Sequence, residues 1–295
     1  MNLDTLVSDI KRDWEVERYP EDWSFIIKDD KELEKHATPE FLKENRGLLF
    51  KNGDKVTKIY LTCFPSTYVL RQIAKQNIKN VLLVSHHPFD WDGTGMGFKS
   101  YSKEDYELMK KYGISVLFMH VPWDAVRNEE KRVSTAYGTA KVLGMNVKGE
   151  FEEYHGALVS LYGDMPGKNF DELAKRYVAE KLGNNHLNIF KFGSNKIGLV
   201  AIVPGGGNDA EWLDEAYKIG VRTYLTGCTN KCKHPYSQAK TKDFLAKAKE
   251  LKLNIIGASH YLTEKWAMEQ SKPYFEKFGL HVEFIEDLAQ MKVLD

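Results

Sequence analysis

From about Lys55 onward the chain alternates between two hydrophobic patterns. Short apolar runs rich in β-branched residues predict strands over Lys58–Thr62, Asn80–Val84, Ile114–Met119, Ala157–Tyr162, Ile197–Val203, Arg222–Thr226, Asn254–Ala258 and His281–Ile285. Between them, apolar residues recur every three to four positions. That spacing predicts helices over Thr67–Gln76, Lys103–Tyr112, Asn128–Leu143, Asn169–Leu182, Asp209–Ile219, Gln238–Leu251 and Thr263–Phe278. Such alternation predicts an α/β fold with mainly parallel or mixed sheets and covering helices. The strand runs are apolar on both faces, as buried parallel strands require.

The first 50 residues read differently. Leu3, Leu6, Val7, Ile10 and Trp14 fall at helical spacing around Asp4, and an acidic stretch holding Trp23 and Phe25 follows. This predicts an N-terminal helix and an irregular arm, residues 1–50, packed on the body. The remainder carries a repeat. Lys58-Ile59-Tyr60-Leu61 resembles Lys196-Ile197-Gly198-Leu199, and Tyr101-Ser102 and Tyr236-Ser237 each open a helix that leads to a strand. At a matching offset His120 falls on His260 and Asp124 on Glu264, so both halves end a strand with His-x-x-x-carboxylate. The expectation is a duplicated chain of two αβ halves, residues 51–150 and 151–295, with a cleft between them.

Composition narrows the class. Lys plus Arg is 42 and Asp plus Glu is 42, a balance with no global field to hold a polyanion, which argues against nucleic acid as partner. The 42% hydrophobic content supports a sizeable core. The longest apolar runs, such as Val81 to Val84, are too short to span a bilayer. Met1-Asn2-Leu3-Asp4 shows no basic segment leading to an apolar one, and the three cysteines form at most one disulfide. The expected location is the cytoplasm.

Val81-Leu82-Leu83-Val84 delivers His86-His87-Pro88 to a strand end. Carboxyl ends of strands are where open α/β sheets bind ligands. His120-Val121-Pro122-Trp123-Asp124 follows the next strand, with Pro122 and Trp123 favouring a loop. Ser259-His260-Tyr261-Leu262-Thr263-Glu264 follows another, where a helix from about Tyr261 would put His260 and Glu264 one turn apart. Each motif alone also reads as ordinary turn or cap chemistry. Together they present six nitrogen and oxygen ligands at one sheet edge. Imidazole with carboxylate suits zinc, iron, manganese or nickel. Six exceed what one tetrahedral catalytic ion takes and fit two ions with a bridging carboxylate.

These three motifs, in this order, resemble the Nif-three-like dinuclear-metal family, some of whose members are described as GTP cyclohydrolase I type 2. The resemblance runs from about Gly47 to Leu288. It implies a duplicated α/β fold, a toroidal hexamer, and two divalent metal ions on His86, His87, Asp124, His260 and Glu264, with Glu264 bridging. His120 lies beside that site and is the candidate general acid or base. Two departures stand out. Val121-Pro122-Trp123 replaces the usual Thr-Asn-Leu type of sequence, with Trp123 expected to narrow the pocket. Thr62-Cys63-Phe64-Pro65 stands where an Asp is usual.

Pro204-Gly205-Gly206-Gly207-Asn208-Asp209 reads as an anion-binding turn or as a tight turn capped by Asn208. Cys228-x-x-x-Cys232-x-His234 offers only three ligands of a structural zinc site. The lysine-rich run from 231 to 252 is a solvated face or a basic rim for phosphorylated substrates. The expected function is a dinuclear-metal hydrolase of a small, phosphorylated or nucleotide-like substrate. The alternative is a metal-binding regulatory or scaffold protein without turnover.

Overall fold

Strands form where the apolar runs end in turn residues. The computed structural model describes residues 1–28, 30–92, 96–183, 187–229 and 233–292. Its strands are β1 (Gly47–Phe50), β2 (Lys58–Thr62), β3 (Val81–Ser85), β4 (Asp90–Asp92), β5 (Gly97–Lys99), β6 (Ile114–Phe118), β7 (Asn146–Tyr154), β8 (Ala157–Asp164), β9 (Asn188–Phe190), β10 (Leu199–Val203), β11 (Val221–Thr226), β12 (Asn254–Gly257) and β13 (His281–Phe284). One sheet has the order β1-β6-β3-β2-β13 and another β7-β8-β10-β11-β12-β9, while β4 and β5 make a hairpin. Side chains alternate between faces at the period of two that strands impose. Ile59, Leu61, Leu82 and Val84 pack on one side of the first sheet, with Leu6, Ile10 and Trp14 of the N-terminal helix Leu3–Asp13. Tyr60, Leu83 and Val116 pack on the other side, with Leu33 and Phe41 of the arm. The second sheet is covered on both faces in the same way.

The two sheets share an order. In the first, β1 runs antiparallel to β6, and β6, β3 and β2 are parallel. In the second, β9 runs antiparallel to β12, and β12, β11 and β10 are parallel. Helices follow at corresponding places: Thr67–Lys75 and Ala210–Ile219, then Lys103–Tyr112 and Pro235–Glu250. The register shifts the repeat read from the sequence. With His120 set on His260, Leu117 falls on Gly257. Leu117 pairs with Val84 and Val84 with Leu61, while Gly257 pairs with Thr226 and Thr226 with Val203, so Leu61 corresponds to Val203 and not to Leu199. Beyond the shared strands the sheets differ. β13 lies parallel on β2, whereas β8 lies antiparallel on β10. The last strand thus leaves the 151–295 segment to complete the first sheet.

Several elements depart from expectation. The helix expected over Asn128–Leu143 is confined to Thr135–Val142, because Ser134 caps it by accepting from the Tyr137 amide. The helix expected over Thr263–Phe278 starts at His260 and divides at Ser271 into His260–Gln270 and Lys272–Glu276. Pro273 sits in the first turn of the second piece, where a missing N–H costs nothing. The same physics overturns the loop expected at His120-x-x-x-Asp124. These five residues form a helix with Pro122 in its first turn. Asn2 caps the N-terminal helix, its Oδ1 accepting from the Thr5 amide at 3.0 Å.

Candidate metal centre

β3, β6 and β12 lie in the two sheets so that their carboxyl ends converge. His86 and His87 extend β3 by one ladder step each, their amides donating to Thr62 and Cys63 carbonyls. β6 and β12 are each followed by a helix whose first residue is histidine, His120 and His260. Ser259 caps the latter, its Oγ accepting from the Leu262 amide at 3.0 Å. Four residues on is one helical turn, so each histidine meets its own carboxylate. His260 Nε2 is 3.1 Å from Glu264 Oε1, and His120 Nε2 is 3.4 Å from Asp124 Oδ2. Glu264 lies at the centre, with Oε2 2.9 Å from His87 Nε2 and Oε1 3.6 Å from His86 Nε2. His86 Nε2 is also 3.4 Å from Asp124 Oδ1, which accepts from Thr135 Oγ1 at 3.0 Å. The structure therefore brings all six residues singled out from the sequence into one cluster.

The cluster is out of water, and its charges are set by one another. Burial pushes Glu264 up, but the charges of His260, His87 and His86 outweigh it and hold the carboxyl well below its usual range. Burial pushes Asp124 up, opposed by His86 and His120. Burial and the charge of His86 hold His87 well below an ordinary histidine. For His260, burial lowers the pKa, yet Glu264 and Cys228 outweigh it and raise it well above normal. His120 behaves likewise: burial lowers it, but Glu21 and Asp124 raise it to about 9.

Fit to a metal can be tested on hydrogen bonding. Neither ring nitrogen of His86, nor Nδ1 of His87, has a hydrogen-bond partner among the described residues. Leaving a buried polar atom unpaired costs roughly 1–3 kcal/mol, so fully buried imidazoles are normally bonded or bound to a cation. Of these, His86 Nε2 faces two carboxylates, 3.4 Å from Asp124 Oδ1 and 3.6 Å from Glu264 Oε1, and His86, Asp124 and Glu264 offer ligand atoms within 4.8 Å of one another. So do His86, His87 and His120, and so do Cys63, His87 and Glu264. This donor set fits a divalent transition ion.

Three further participants were not among the site residues expected from the sequence. Glu21 comes from the arm: Oε2 is 3.2 Å from His120 Nδ1, and Oε1 accepts from the Val121 amide at 2.9 Å. Trp23 stands edge-on to His120, with ring centres 5.3 Å apart. Cys63 Sγ is 3.4 Å from Glu264 Oε2, its thiol pushed well up by burial and the carboxylate's charge. Trp123, expected to narrow the pocket, is instead fully buried behind His86, its ring 5.3 Å from Trp14 and 6.1 Å from Phe275. The helix His120–Asp124 turns it inward.

The glycine turn borders the cluster. Gly205 adopts φ +59, and its amide donates to Thr263 Oγ1 at 2.9 Å. Asn208 is not the cap expected; the next helix begins after Asp209, and Asn208 Nδ2 donates to Thr241 Oγ1. Lys240 Nζ donates to the Gly206 carbonyl at 3.1 Å and pairs with Asp209 at 2.8 Å. Of the Cys228, Cys232 and His234 set, Cys232 lies outside the described residues. Cys228 Sγ is 3.5 Å from His260 Nδ1, and His234 precedes the helix Pro235–Glu250. A cavity of about 270 Å³ opens onto His87, His120, Asp124, His260 and Glu264. It adjoins one of about 620 Å³, lined in part by Trp91, Phe98 and Tyr236, and Lys240 borders both.

Comparison with known proteins gives the family and the fold. The model of the family described as Duf34/NIF3 (NGG1p interacting factor 3) matches residues 31–289. A Pyrococcus horikoshii protein named "GTP cyclohydrolase 1 type 2 homolog" is 27% identical over 247 residues, 83% of this chain and 90% of its own. A Pyrococcus abyssi protein of the same name is 25% identical over 246 residues, with the same coverage of both chains. Among solved structures, the protein ybgI, titled as of unknown function, aligns at TM-score 0.72 with 20% identity, covering 97% of this chain and 98% of its own. Reduced HcgD from Methanocaldococcus jannaschii aligns at TM-score 0.62 with 18% identity over the same shares. These structures share the mixed α/β fold.

Proposed function

Because the chain belongs to the Duf34/NIF3 family, we propose that its histidine–carboxylate cluster is a dinuclear metal centre and that the protein is a metal-dependent hydrolase of a small, phosphorylated or nucleotide-like substrate. His86, His87, Asp124, His260 and Glu264 would hold two divalent ions, drawn from zinc, iron, manganese or nickel. The observation that carries this reading is Glu264, a buried carboxylate whose two oxygens face histidines from both sheets, beside a His86 ring with no hydrogen-bond partner among the described residues. When bound, such a pair supplies Lewis acidity and a more acidic water. The chain's own residues would do the rest. His120, with its pKa raised to about 9, holds a proton at neutral pH between Glu21 and Asp124, beside the cavity. It would give that proton to a leaving group.

The adjoining cavities support turnover over a purely structural or regulatory role. A structural metal site is closed, whereas this cluster opens onto space for a substrate. Lys240 at the junction would meet an anionic group, and the aromatic walls of the outer chamber suit a flat ring. The relatives' names point to nucleotide chemistry of this kind. A homohexamer, implied by the family resemblance, completes the proposal and would show in sedimentation. No helix among the described residues is long and apolar enough to cross a membrane. The function test is a metal-dependent turnover screen over nucleotides and phosphoesters. Release of product that stops on chelation and returns with one of the four ions is expected. A metal-loaded protein inert across the screen would favour the regulatory reading.

A further inference from the structure

The carboxyl end of β2 also reaches the cluster. Cys63 is the first residue past that strand, and the ladder that delivers the histidines holds it: the His87 amide donates to its carbonyl at 3.0 Å. Its side chain is fully buried. Sγ lies 3.4 Å from Glu264 Oε2, the same oxygen that is 2.9 Å from His87 Nε2. Cys63, His87 and Glu264 offer ligand atoms that all lie within 4.8 Å of one another. Donors on one tetrahedral zinc lie about 3.5 Å apart, given bonds of about 2.3 Å to sulfur and about 2.0 Å to nitrogen. Both contacts to Glu264 are near that spacing.

The two oxygens of Glu264 divide the donors. Oε1 faces His260 at 3.1 Å and His86 at 3.6 Å, whereas Oε2 faces His87 and Cys63. His86 Nε2, fully buried and without a hydrogen-bond partner among the described residues, points into the same cluster. A core thiol packs as a small hydrophobe and needs no polar partner. This one is set against a carboxylate beside an imidazole. We propose that Cys63 is a metal ligand, its sulfur joining His87 and Glu264 on one ion while His86, Asp124 and Glu264 serve the other. The assignment rests on the two-metal reading and adds a donor to it. The thiolate is the ligating form, so the sulfur yields its proton to solvent as the ion binds. A sulfur donor makes the two positions unequal. Thiolate favours zinc, whereas the position built of nitrogen and oxygen stays open to manganese and iron.

The experiment is absorption spectroscopy of the full chain, stripped by chelation and reloaded with cobalt(II), with bound cobalt measured on the same samples. The wild type is expected to show an intense near-ultraviolet thiolate-to-cobalt band beside the weaker visible bands. Cys63→Ser should lose the near-ultraviolet band. The double variant Cys228→Ser, Cys232→Ser should keep it, since Cys63 is then the one cysteine left of three. Should Cys63→Ser fail to fold, zinc X-ray absorption on that double variant decides: a sulfur neighbour at about 2.3 Å is expected, and its absence overturns the assignment. Bound cobalt without the band in the wild type, or a band that survives Cys63→Ser, would also overturn it. The metal centre would then stand, with Cys63 a core thiol that donates to Glu264. A chain that binds no cobalt would overturn both readings at once.

Discussion

Gly205 and Glu264 approach so closely that no side chain fits between them. A methyl group on Gly205 would overlap Glu264 Oε1 and fall 3.0 Å from His260 Nε2. The glycine turn is thus the floor on which the central carboxylate rests. Gly205→Ala is expected to displace Glu264 and to strain a backbone at φ +59, which costs an L-residue roughly 1–2 kcal/mol. Metal content should fall by at least one ion per chain, and Tm by several degrees. Gly206→Ala is the control, since nothing lies within 4 Å of its Cβ position. Equal metal content in the two variants would contradict the account.

Glu264→Gln should damage the centre more than His120→Ala. The Glu264 carboxylate faces His86, His87 and His260 at once, and its charge would offset the repulsion of two ions. An amide keeps the shape and loses that charge. Among the described residues, His120 has ion-pair geometry with Asp124 and Glu21 alone. Metal content of the two variants checks this; equal occupancy would remove the bridging role.

Most of the sheet core was legible because β2, β3, β6, β10 and β12 are largely buried on both faces and read as short apolar runs, and β11 keeps the pattern apart from the exposed Arg222. β7 was not, since Lys148, Glu150 and Glu153 leave it too polar for that pattern. The histidine–carboxylate pairs were legible because one helical turn fixes their spacing. The helical form of the first pair was hidden by Pro122, which usually breaks helices and here sits where it is tolerated. Glu21 carries no local signal, and Cys63 shows only as a departure from the family's usual Asp. They meet His120 and Glu264 across 99 and 201 residues of chain, and only the fold brings them there.

Away from the centre, Glu152 predicts a pH dependence of stability. Burial and the nearby Glu215 charge raise its pKa to about 8. The unfolded value is about 4.3. Between the two, the folded chain holds the extra proton. Stability from this group is therefore present at low pH, falls as pH rises through that window and is level above it. Urea midpoints at pH 5.5 and 8.5 should differ more in the wild type than in Glu152→Gln. An identical difference in both would show that Glu152 ionises freely.

The central claim is a two-metal centre, and elemental analysis of the purified full chain tests it most directly. The account predicts two transition-metal ions per chain, both lost from a variant lacking His86, His87 and Glu264. A chain that binds one ion or none at saturating metal would contradict it.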